Sequence, residues 1–273
     1  MKISRRAFIK NVSLAGSFLI TGGFTSLSAD EIFELRKKVR LRFVVASDGH
    51  YGQPETLFDQ FHDTLIEKIN MFHKIQPVNF CVINGDVIHN EKSLLVEVKN
   101  KLDFLHAPYY VTKGNHDMVS DAYWNEVWKM PVNHNVVVKN NAIIMATTSN
   151  EQGDYLSPDL QWLKDKLDDS KKFKNTFIFI HIPQAKWTAN AIDTPAFFEL
   201  LKKYTNIRAV FNGHEHDQDG VRMNNGIPYL FDSHIGGNWG TEYKGFRVVE
   251  VMKDNAVITY MMNPEQKLRE ERL

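Results

Sequence analysis

The chain of 273 residues is long enough for one large domain or two small ones, and its 43% apolar and 24% charged residues are typical of a soluble globular protein. Four basic residues precede Asp30, so the other 29 basic residues stand against 33 acidic ones, a net charge of −4. A mildly acidic body excludes the basic face that nucleic-acid polymers need, but a bound cation could still attract a small anion. The single cysteine, Cys81, excludes an internal disulfide framework, and its apolar run predicts a buried side chain rather than a thiol ligand.

The first 29 residues have the features of an export signal. A basic region at 1–10 precedes an apolar region at 12–24 and small residues at 26–29. Residues 4–10 resemble the twin-arginine signal, with Ile9 where Leu is more usual, and an ordinary secretory signal is the alternative. We therefore predict a bacterial protein of the periplasm or cell envelope that uses the twin-arginine export machinery and keeps no stable membrane span after cleavage.

Strands and helices alternate through the first half of the chain, after a linker predicted at 30–38. Apolar or β-branched runs predict strands at 39–46, 78–83 and 108–111. Helical spacing of apolar residues predicts helices at 55–75 and 91–104 between them. The pattern is β-α-β-α-β, and each strand ends in a polar loop that contains glycine.

The second half continues this alternation and then changes to strands without helices. The predicted elements are a helix at 122–128, strands at 135–139 and 142–148 with an Asn140–Asn141 hairpin turn, a helix at 160–167 with Pro158 early in it, a strand at 175–182, a helix at 195–204, and strands at 207–211, 228–231, 246–252 and 256–262. With no linker or repeat between them, we predict one domain at 39–263 and a charged tail at 264–273 that is frayed or helical. The predicted fold is α/β (α+β), a four-layer sandwich of two mixed β-sheets flanked by helices.

Five loops that follow predicted strands carry His, Asp or Asn side chains. They are Asp48-Gly49-His50, Gly85-Asp86-Val87-Ile88-His89, Gly114-Asn115-His116-Asp117, His181 and Gly213-His214-Glu215-His216. Two of these loops hold pairs spaced i, i+2, which point to one side of an extended backbone. Because each loop follows an apolar strand, we expect the loops to converge at one edge of a sheet.

Imidazole, carboxylate and amide groups in these loops are potential metal ligands. This set suits borderline divalent ions such as Zn, Fe or Mn rather than Ca. Seven ligands are more than one ion needs, but they fit two ions that share a carboxylate. Such an arrangement clamps the attacking and leaving oxygens in phosphoryl transfer.

The five motifs, in their order, resemble those of the calcineurin-like metallophosphoesterases: D-x-H, G-D-x-x, G-N-H-[D/E], H and G-H-x-H. The resemblance covers essentially the whole chain after the signal and implies a double β-sandwich flanked by helices. It implies that one metal is held by Asp48, His50 and His216, that the second is held by Asn115, His181 and His214, and that Asp86 bridges both. It also implies that His116 is an acid that binds no metal, oriented by Asp117. The chain departs from the pattern at His89, where many members have an acidic residue, so the role of His89 stays open.

The resemblance implies hydrolysis of small-molecule phosphoesters by a metal-bridged hydroxide, with two divalent ions (Mn, Fe or Zn) as cofactors. The compact length and the intact Asn115-His116-Asp117 resemble the class III cyclic-nucleotide phosphodiesterases, which favours phosphodiesters, nucleotides among them. A phosphomonoesterase or nucleotidase is the alternative. A non-catalytic metal-binding scaffold would predict a missing ligand or a missing acid, and the sequence lacks neither. Export would favour extracellular nucleotides, phospholipid head groups or sugar phosphates over cyclic AMP.

Some other residues have a structural and a functional interpretation. His62 is expected to be a surface residue or a satisfied helix residue, and Glu215 to point away from the metals into solvent or behind the ligands. The Gly-rich loop that contains Trp239 and Tyr243 could stack on a nucleobase, although simple packing is the more common use of such residues.

Overall fold

The computed structural model describes residues 38–263 and 267–273. Its strands are β1 (Val39–Ala46), β2 (Phe80–Asn84), β3 (Tyr109–Thr112), β4 (His134–Val138), β5 (Asn141–Met145), β6 (Thr176–Ile180), β7 (Ile207–Asn212), β8 (Val221–Asn224), β9 (Ile227–Phe231), β10 (Phe246–Met252), β11 (Val257–Met262) and β12 (Lys267–Arg272). Its α-helices are α1 (Phe58–Ile75), α2 (Leu95–Leu102), α3 (Asp121–Trp128), α4 (Leu160–Ser170) and α5 (Pro195–Leu201). A short 3-10 helix, Lys92–Leu94, leads into α2.

The strands form two mixed sheets of six strands each in the described residues. Their orders are β12-β11-β10-β1-β2-β3 and β4-β5-β6-β7-β9-β8. The run β1-β2-β3 is parallel, as is the run β5-β6-β7-β9, and the remaining neighbours are antiparallel. The predicted fold of two mixed sheets flanked by helices is confirmed.

Side chains of β1 alternate between two cores because successive strand residues point to opposite faces of a sheet. Leu41, Phe43 and Val45 belong to the core between the two sheets. Val44 and Ala46 belong to the core between the first sheet and its helices. The strand is therefore buried on both faces, which is why its sequence is almost continuously apolar.

Aromatic rings fill the space between the sheets. The ring of Phe43 stacks on Phe80 with a centroid distance of 4.8 Å and meets Phe177 of the second sheet edge-on at 5.1 Å. Phe179 and Phe211 stack on each other at 4.7 Å. Rings in offset or edge contact add to the free energy that their burial contributes.

Helices cover the outer face of each sheet through apolar stripes. On the first sheet, α1 buries Leu65, Ile69 and Phe72. On the second sheet, α4 buries Leu163 and Leu167, next to apolar residues of α5. The order of layers is helix, sheet, sheet, helix. None of the helices in the described residues is long and apolar enough to cross a membrane.

Three local predictions differ from the structure. The hairpin turn lies at Lys139 and Asn140, both in the left-handed backbone region, while Asn141 already belongs to β5. Pro158 precedes α4, and the carboxylate of Asp159 caps this helix by accepting from two backbone N–H groups. The charged tail is neither frayed nor helical at 267–272, since these residues pair with β11 as strand β12.

One strand was not predicted from the sequence, and the N-terminal segment lies outside the described residues. Strand β8 was not predicted, because its four residues contain only two apolar side chains, Val221 and Met223, and its pairing with β9 is tertiary. The predicted export signal at 1–29 and residues 30–37 of the predicted linker lie outside the described residues and stay predictions.

We predict that Phe43→Ala lowers the free energy of unfolding by about 3–5 kcal/mol, because it opens a cavity between the sheets. Phe43→Leu keeps most of the volume and should cost less than about 1.5 kcal/mol. Urea unfolding measures both changes, with Phe104→Ala as the control, since Phe104 is 71% exposed. Equal effects of Phe43→Ala and Phe104→Ala would contradict this account of the core.

Candidate metal centre

The carboxyl ends of the parallel strands from both sheets meet at one edge of the molecule. Asp48, Asp86 and Asn115 follow β1, β2 and β3 of the first sheet, and His181 and His214 follow β6 and β7 of the second. Hydrogen bonds join these loops directly. The backbone N–H of His214 donates to both carboxylate oxygens of Asp48 at 3.0 Å, and Asp48 N donates to Gly85 O at 3.1 Å. The predicted convergence of the five loops therefore occurs, and it involves both sheets.

The backbone is strained at four of the predicted ligands. Asp48, His50, Asp86 and His214 have φ values of 57°, 43°, 49° and 70°, in the left-handed region. This conformation costs roughly 1 kcal/mol or more for a residue with a side chain, and Asp and His adopt it more readily than most. Strain of this kind collects at functional sites, where the surrounding structure enforces it.

The first cluster contains Asp48, His50 and His216, all of which are buried. Their potential ligand atoms lie within 4.8 Å of one another. His216 Nε2 is 3.0 Å from His50 Nε2 and 3.3 Å from Asp48 Oδ1. Two imidazoles and a carboxylate that point into one small volume are a suitable donor set for a borderline divalent cation.

The second cluster contains Asp86, His181 and His214, again buried and with ligand atoms within 4.8 Å. Two buried atoms beside it, His214 Nε2 and Asn115 Oδ1, have no hydrogen-bond partner. An unpaired buried polar atom is costly. Both atoms can offer a lone pair, so a cation held beside them would satisfy both, and these residues fit a bound metal.

Asp86 lies between the two clusters. Its Oδ2 is 3.2 Å from His181 Nε2 in one cluster and 3.6 Å from His50 Nε2 in the other. Its Oδ1 accepts a hydrogen bond of 2.7 Å from the backbone N–H of His116, which fixes the carboxylate. A Cβ at Gly114 would come within 2.2 Å of that Oδ1, so only glycine lets the third loop approach so closely.

In two of the ligand histidines, His181 and His216, a backbone carbonyl holds Nδ1, which leaves Nε2 for a metal. His181 Nδ1 donates to Asn84 O at 2.8 Å, and His216 Nδ1 donates to Trp239 O at 3.2 Å. A carbonyl oxygen only accepts, so these contacts place a proton on Nδ1. Such contacts orient metal-binding histidines and fix their tautomer.

Burial and neighbouring charges shift four pKa values in the centre, and three of these shifts favour the protonation state that binds a metal. Burial would raise the pKa of Asp48, but His181 and His216 outweigh it and lower that pKa to about 2. Burial lowers the pKa of His50 to about 3 and that of His214 to about 4. Despite burial, Asp86 and Asp48 raise the pKa of His181 to about 10, so a metal ion at His181 would replace a proton.

His116 lies at the edge of the centre, and its orienting partner differs from the predicted one. His116 Nδ1 contacts Asn90 Oδ1 at 2.8 Å. Asp117 instead accepts from the backbone N–H groups of Ile88 at 2.9 Å and Gly114 at 2.8 Å. The predicted contact between Asp117 and His116 is therefore wrong, because the buried Asp117 carboxylate is used to tie two loops together. Burial, and next the charge of Asp86, raise the pKa of Asp117 to about 7.

His89 contacts two residues of the centre. Its Nδ1 is 2.9 Å from Nδ1 of His50, and its ring stacks on that of His116 with a centroid distance of 4.8 Å. His89 therefore lies behind a predicted ligand and beside the predicted acid. Asn90, the next residue, was missed by sequence reasoning, because a single exposed Asn in a polar loop carries no signal for a partner 26 positions away.

The residues with two interpretations have defined environments. His62 is buried, and its Nδ1 contacts Phe58 O at 2.7 Å, as a satisfied helix residue would. Glu215 is buried and is not solvated, because Thr188 donates to its carboxylate. Trp239 stacks on His216, a contact that no spacing in the sequence indicates.

Comparisons with known proteins agree with this geometry. The family model described as calcineurin-like phosphoesterase matches residues 41–218, which include every predicted ligand. A search of curated proteins found no significant match.

Solved structures with the same fold come from organisms that are distant from one another. A dimetal phosphatase from Danio rerio has a TM-score of 0.67 at 14% identity, over 84% of this chain and 98% of its own. GAP50, the anchor in the inner membrane complex of Plasmodium, has a TM-score of 0.63 at 16% identity, over 86% of this chain and 89% of its own. The calcineurin-like phosphoesterase YfkN from Bacillus subtilis has a TM-score of 0.51 at 14% identity, over 86% and 90%. At these identities the structures indicate a shared fold.

We predict that Mn²⁺ stabilises the folded protein and that a chelator reverses the effect, because the ion would bind the folded donor clusters and not the unfolded chain. Free metal at about 100 times its dissociation constant should raise the melting temperature by roughly 5–10 °C. Calorimetry measures the shift. Asp86→Ala should remove most of it, whereas Asp63→Ala, which alters an exposed carboxylate on α1, should keep it. An equal shift in both variants would contradict this metal site.

Proposed function

The chain belongs to the calcineurin-like phosphoesterase family, and from this premise and its metal centre we propose that it hydrolyses phosphoesters with two divalent ions. The observation that carries the proposal is the position of Asp86 between two buried donor clusters. One ion would be held by Asp48, His50 and His216, the other by Asn115, His181 and His214, with Asp86 shared. When bound, such ions supply Lewis-acid stabilisation of charge on phosphoryl oxygens and lower the pKa of water.

His116 is the residue that we propose as the general acid. It is half-buried at the rim of the centre, so a substrate oxygen can reach it. Asn90 Oδ1 accepts from its Nδ1, which leaves Nε2 as the nitrogen that can carry a proton to the leaving oxygen. The backbone N–H of His116 donates to Asp86, so the proposed acid is hydrogen-bonded directly to the carboxylate between the clusters.

A phosphodiester is the substrate class that this arrangement favours. The alkoxide that leaves from a diester is a poor leaving group, so a positioned acid contributes most to that reaction. The resemblance of Asn115-His116-Asp117 to the class III cyclic-nucleotide phosphodiesterases supports the same preference. A phosphomonoesterase or nucleotidase is the second candidate, because the same residues can act on monoesters.

A non-catalytic role is the alternative from a different class of function. GAP50, which shares the fold, is described as an anchor, so the fold does not by itself require catalysis. In this chain both donor clusters and His116 are present together, which favours the enzyme.

We expect Mn²⁺-dependent hydrolysis of bis-p-nitrophenyl phosphate, and slower hydrolysis of the monoester p-nitrophenyl phosphate. Asp86→Ala removes the carboxylate that both clusters share and should reduce kcat at least about 100-fold, as loss of a key electrostatic group does. Release of p-nitrophenolate measures the rates, with Asp63→Ala as the control. Metal-independent turnover, or full activity in Asp86→Ala, would refute the proposed function, and equal turnover of both esters would remove the diester preference.

We expect His116→Ala to keep metal affinity but to reduce kcat about 10²–10⁴-fold for esters with alkoxide leaving groups. The loss should be much smaller for p-nitrophenolate, which leaves without a proton. Asn90→Gly removes the orienting oxygen while tolerating the φ of 65° at this position, so it should give a weaker loss of the same kind. Rates across leaving groups, together with metal content, test this prediction, and His106→Ala is the surface control. Loss of metal from His116→Ala would show that His116 is a ligand instead.

A further inference from the structure

Two exposed aromatic rings lie directly against histidines of the metal centre. The ring of Trp239 is parallel to that of His216, with a centroid distance of 4.1 Å and an interplanar angle of 3°. The ring of Tyr155 meets His214 edge-on at 4.8 Å. Trp239 is 46% exposed and Tyr155 is 40% exposed, whereas both histidines are buried. The rings therefore stand at the mouth of the centre, each beside a different donor cluster.

The free surface of Trp239 is a ring face. The imidazole of His216 covers one face of the indole, so with nearly half of the residue exposed the opposite face is open. An exposed apolar side chain is ordinary when it stands alone. Here four of the nine large apolar side chains that are exposed in the described residues belong to loops that contact the centre or continue from it. They are Trp239 and Tyr155, which contact its histidines, Leu156, which follows Tyr155, and Met118, which follows Asp117. A centre lined with charged groups thus has an apolar rim.

The loop that carries Trp239 is held in place. The backbone N–H of Thr241 donates to His216 O at 3.0 Å, and the side chain of Gln53 donates to Asn238 Oδ1 at 3.1 Å. Gly240 has a φ of 125°, and a Cβ there would come within 2.5 Å of His216 Cβ. The close approach of this loop to His216 thus depends on a glycine and brings the indole onto the imidazole. A ring fixed in advance loses little conformational freedom when a ligand stacks on it.

The loop that carries Tyr155 is also ordered by hydrogen bonds. Asn150 Oδ1 accepts from the backbone N–H groups of Gln152 at 3.0 Å and Asp154 at 2.9 Å. The backbone N–H of Leu156 donates to Thr148 O at 2.8 Å, so the residues on both sides of Tyr155 are hydrogen-bonded to the segment that follows β5. Both rings are therefore prearranged platforms and not loose surface side chains.

We propose that Trp239 and Tyr155 form a subsite for an aromatic group of the substrate, with Trp239 as the main contact. The inference rests on the proposed function, which places the phosphoryl group at the two donor clusters. A flat organic substituent on that phosphorus lies next to one ring or the other, and its π-face can stack on the open indole face. The substrate class is thus a phosphoester with an aryl group or a nucleobase, in preference to small alkyl or glycerol esters.

Binding of two phosphonates tests this subsite without catalysis. Phenylphosphonate and methylphosphonate both present a phosphonate head to the Mn²⁺-loaded protein, and they are compared at a pH at which both are dianions, so that the phenyl or methyl group on phosphorus is the difference between them. We expect calorimetry to show tighter binding of phenylphosphonate by about three- to tenfold, the range for one aromatic contact. Trp239→Ala should remove most of this preference, the double variant with Tyr155→Ala should abolish it, and Trp239→Phe should keep most of it.

Methylphosphonate binding and the Phe104→Ala variant are the two controls for the phosphonate experiment. Methylphosphonate should bind all variants within about twofold, which shows an intact centre, and Phe104→Ala should keep the preference because Phe104 lies on the surface after α2. Equal binding of both phosphonates by the wild type, or an unchanged preference in the double variant, would overturn the subsite. A phenyl preference without hydrolysis of any ester would refute the proposed function and support the subsite. Hydrolysis without a phenyl preference would refute the subsite alone.

Discussion

The burial of two carboxylates, Asp48 and Asp86, at the edge where the sheets meet is the constraint on which the centre depends. Both side chains are essentially without solvent contact, and an ionised carboxylate in such a place must be compensated. Backbone N–H groups of other loops donate to each, from His214 to Asp48 and from His116 to Asp86. Imidazoles surround both, so strand-end loops from both sheets are bound to a common pair of charges.

Rigidity of the surrounding fold allows this arrangement. The aromatic core around Phe43 joins the sheets face to face, and the parallel strands deliver their carboxyl ends to one edge. Left-handed backbone at four predicted ligands is unfavourable in isolation. It persists because the loops are hydrogen-bonded to one another, so the packing of the sheets offsets local strain at the centre. The interior of the centre is polar and charged, and Trp239 and Tyr155 line its mouth. Under the proposed function, this division would separate recognition of the phosphoryl group from recognition of the organic group.

The predicted ligands could be identified in the sequence because they lie in loops that follow apolar strands. The carboxyl ends of neighbouring parallel strands lie at the same edge of a sheet, so these loops also lie close together in the fold. The hydrogen-bond partner of the His116 side chain could not be identified in the same way. Asp117 is adjacent in sequence and chemically suitable, but it accepts from Ile88 and Gly114, while Asn90 reaches His116 from another loop. Adjacency along a tight turn does not decide where a side chain points, since the hydrogen-bond donors that a buried carboxylate needs come from whichever loop packs beside it.

The alternation of strands and helices, the two mixed sheets and the converging residues could be predicted from the sequence, because hydrophobic period and strand-end position are local properties. The sequence did not determine strand β12, whose charged residues carry no strand pattern and which exists by pairing with β11. The orientation of His116 by Asn90 and the stacking of Trp239 on His216 follow only from the tertiary structure. Each of these depends on distances between loops that are far apart in the chain, and those distances are set by how the sheets pack.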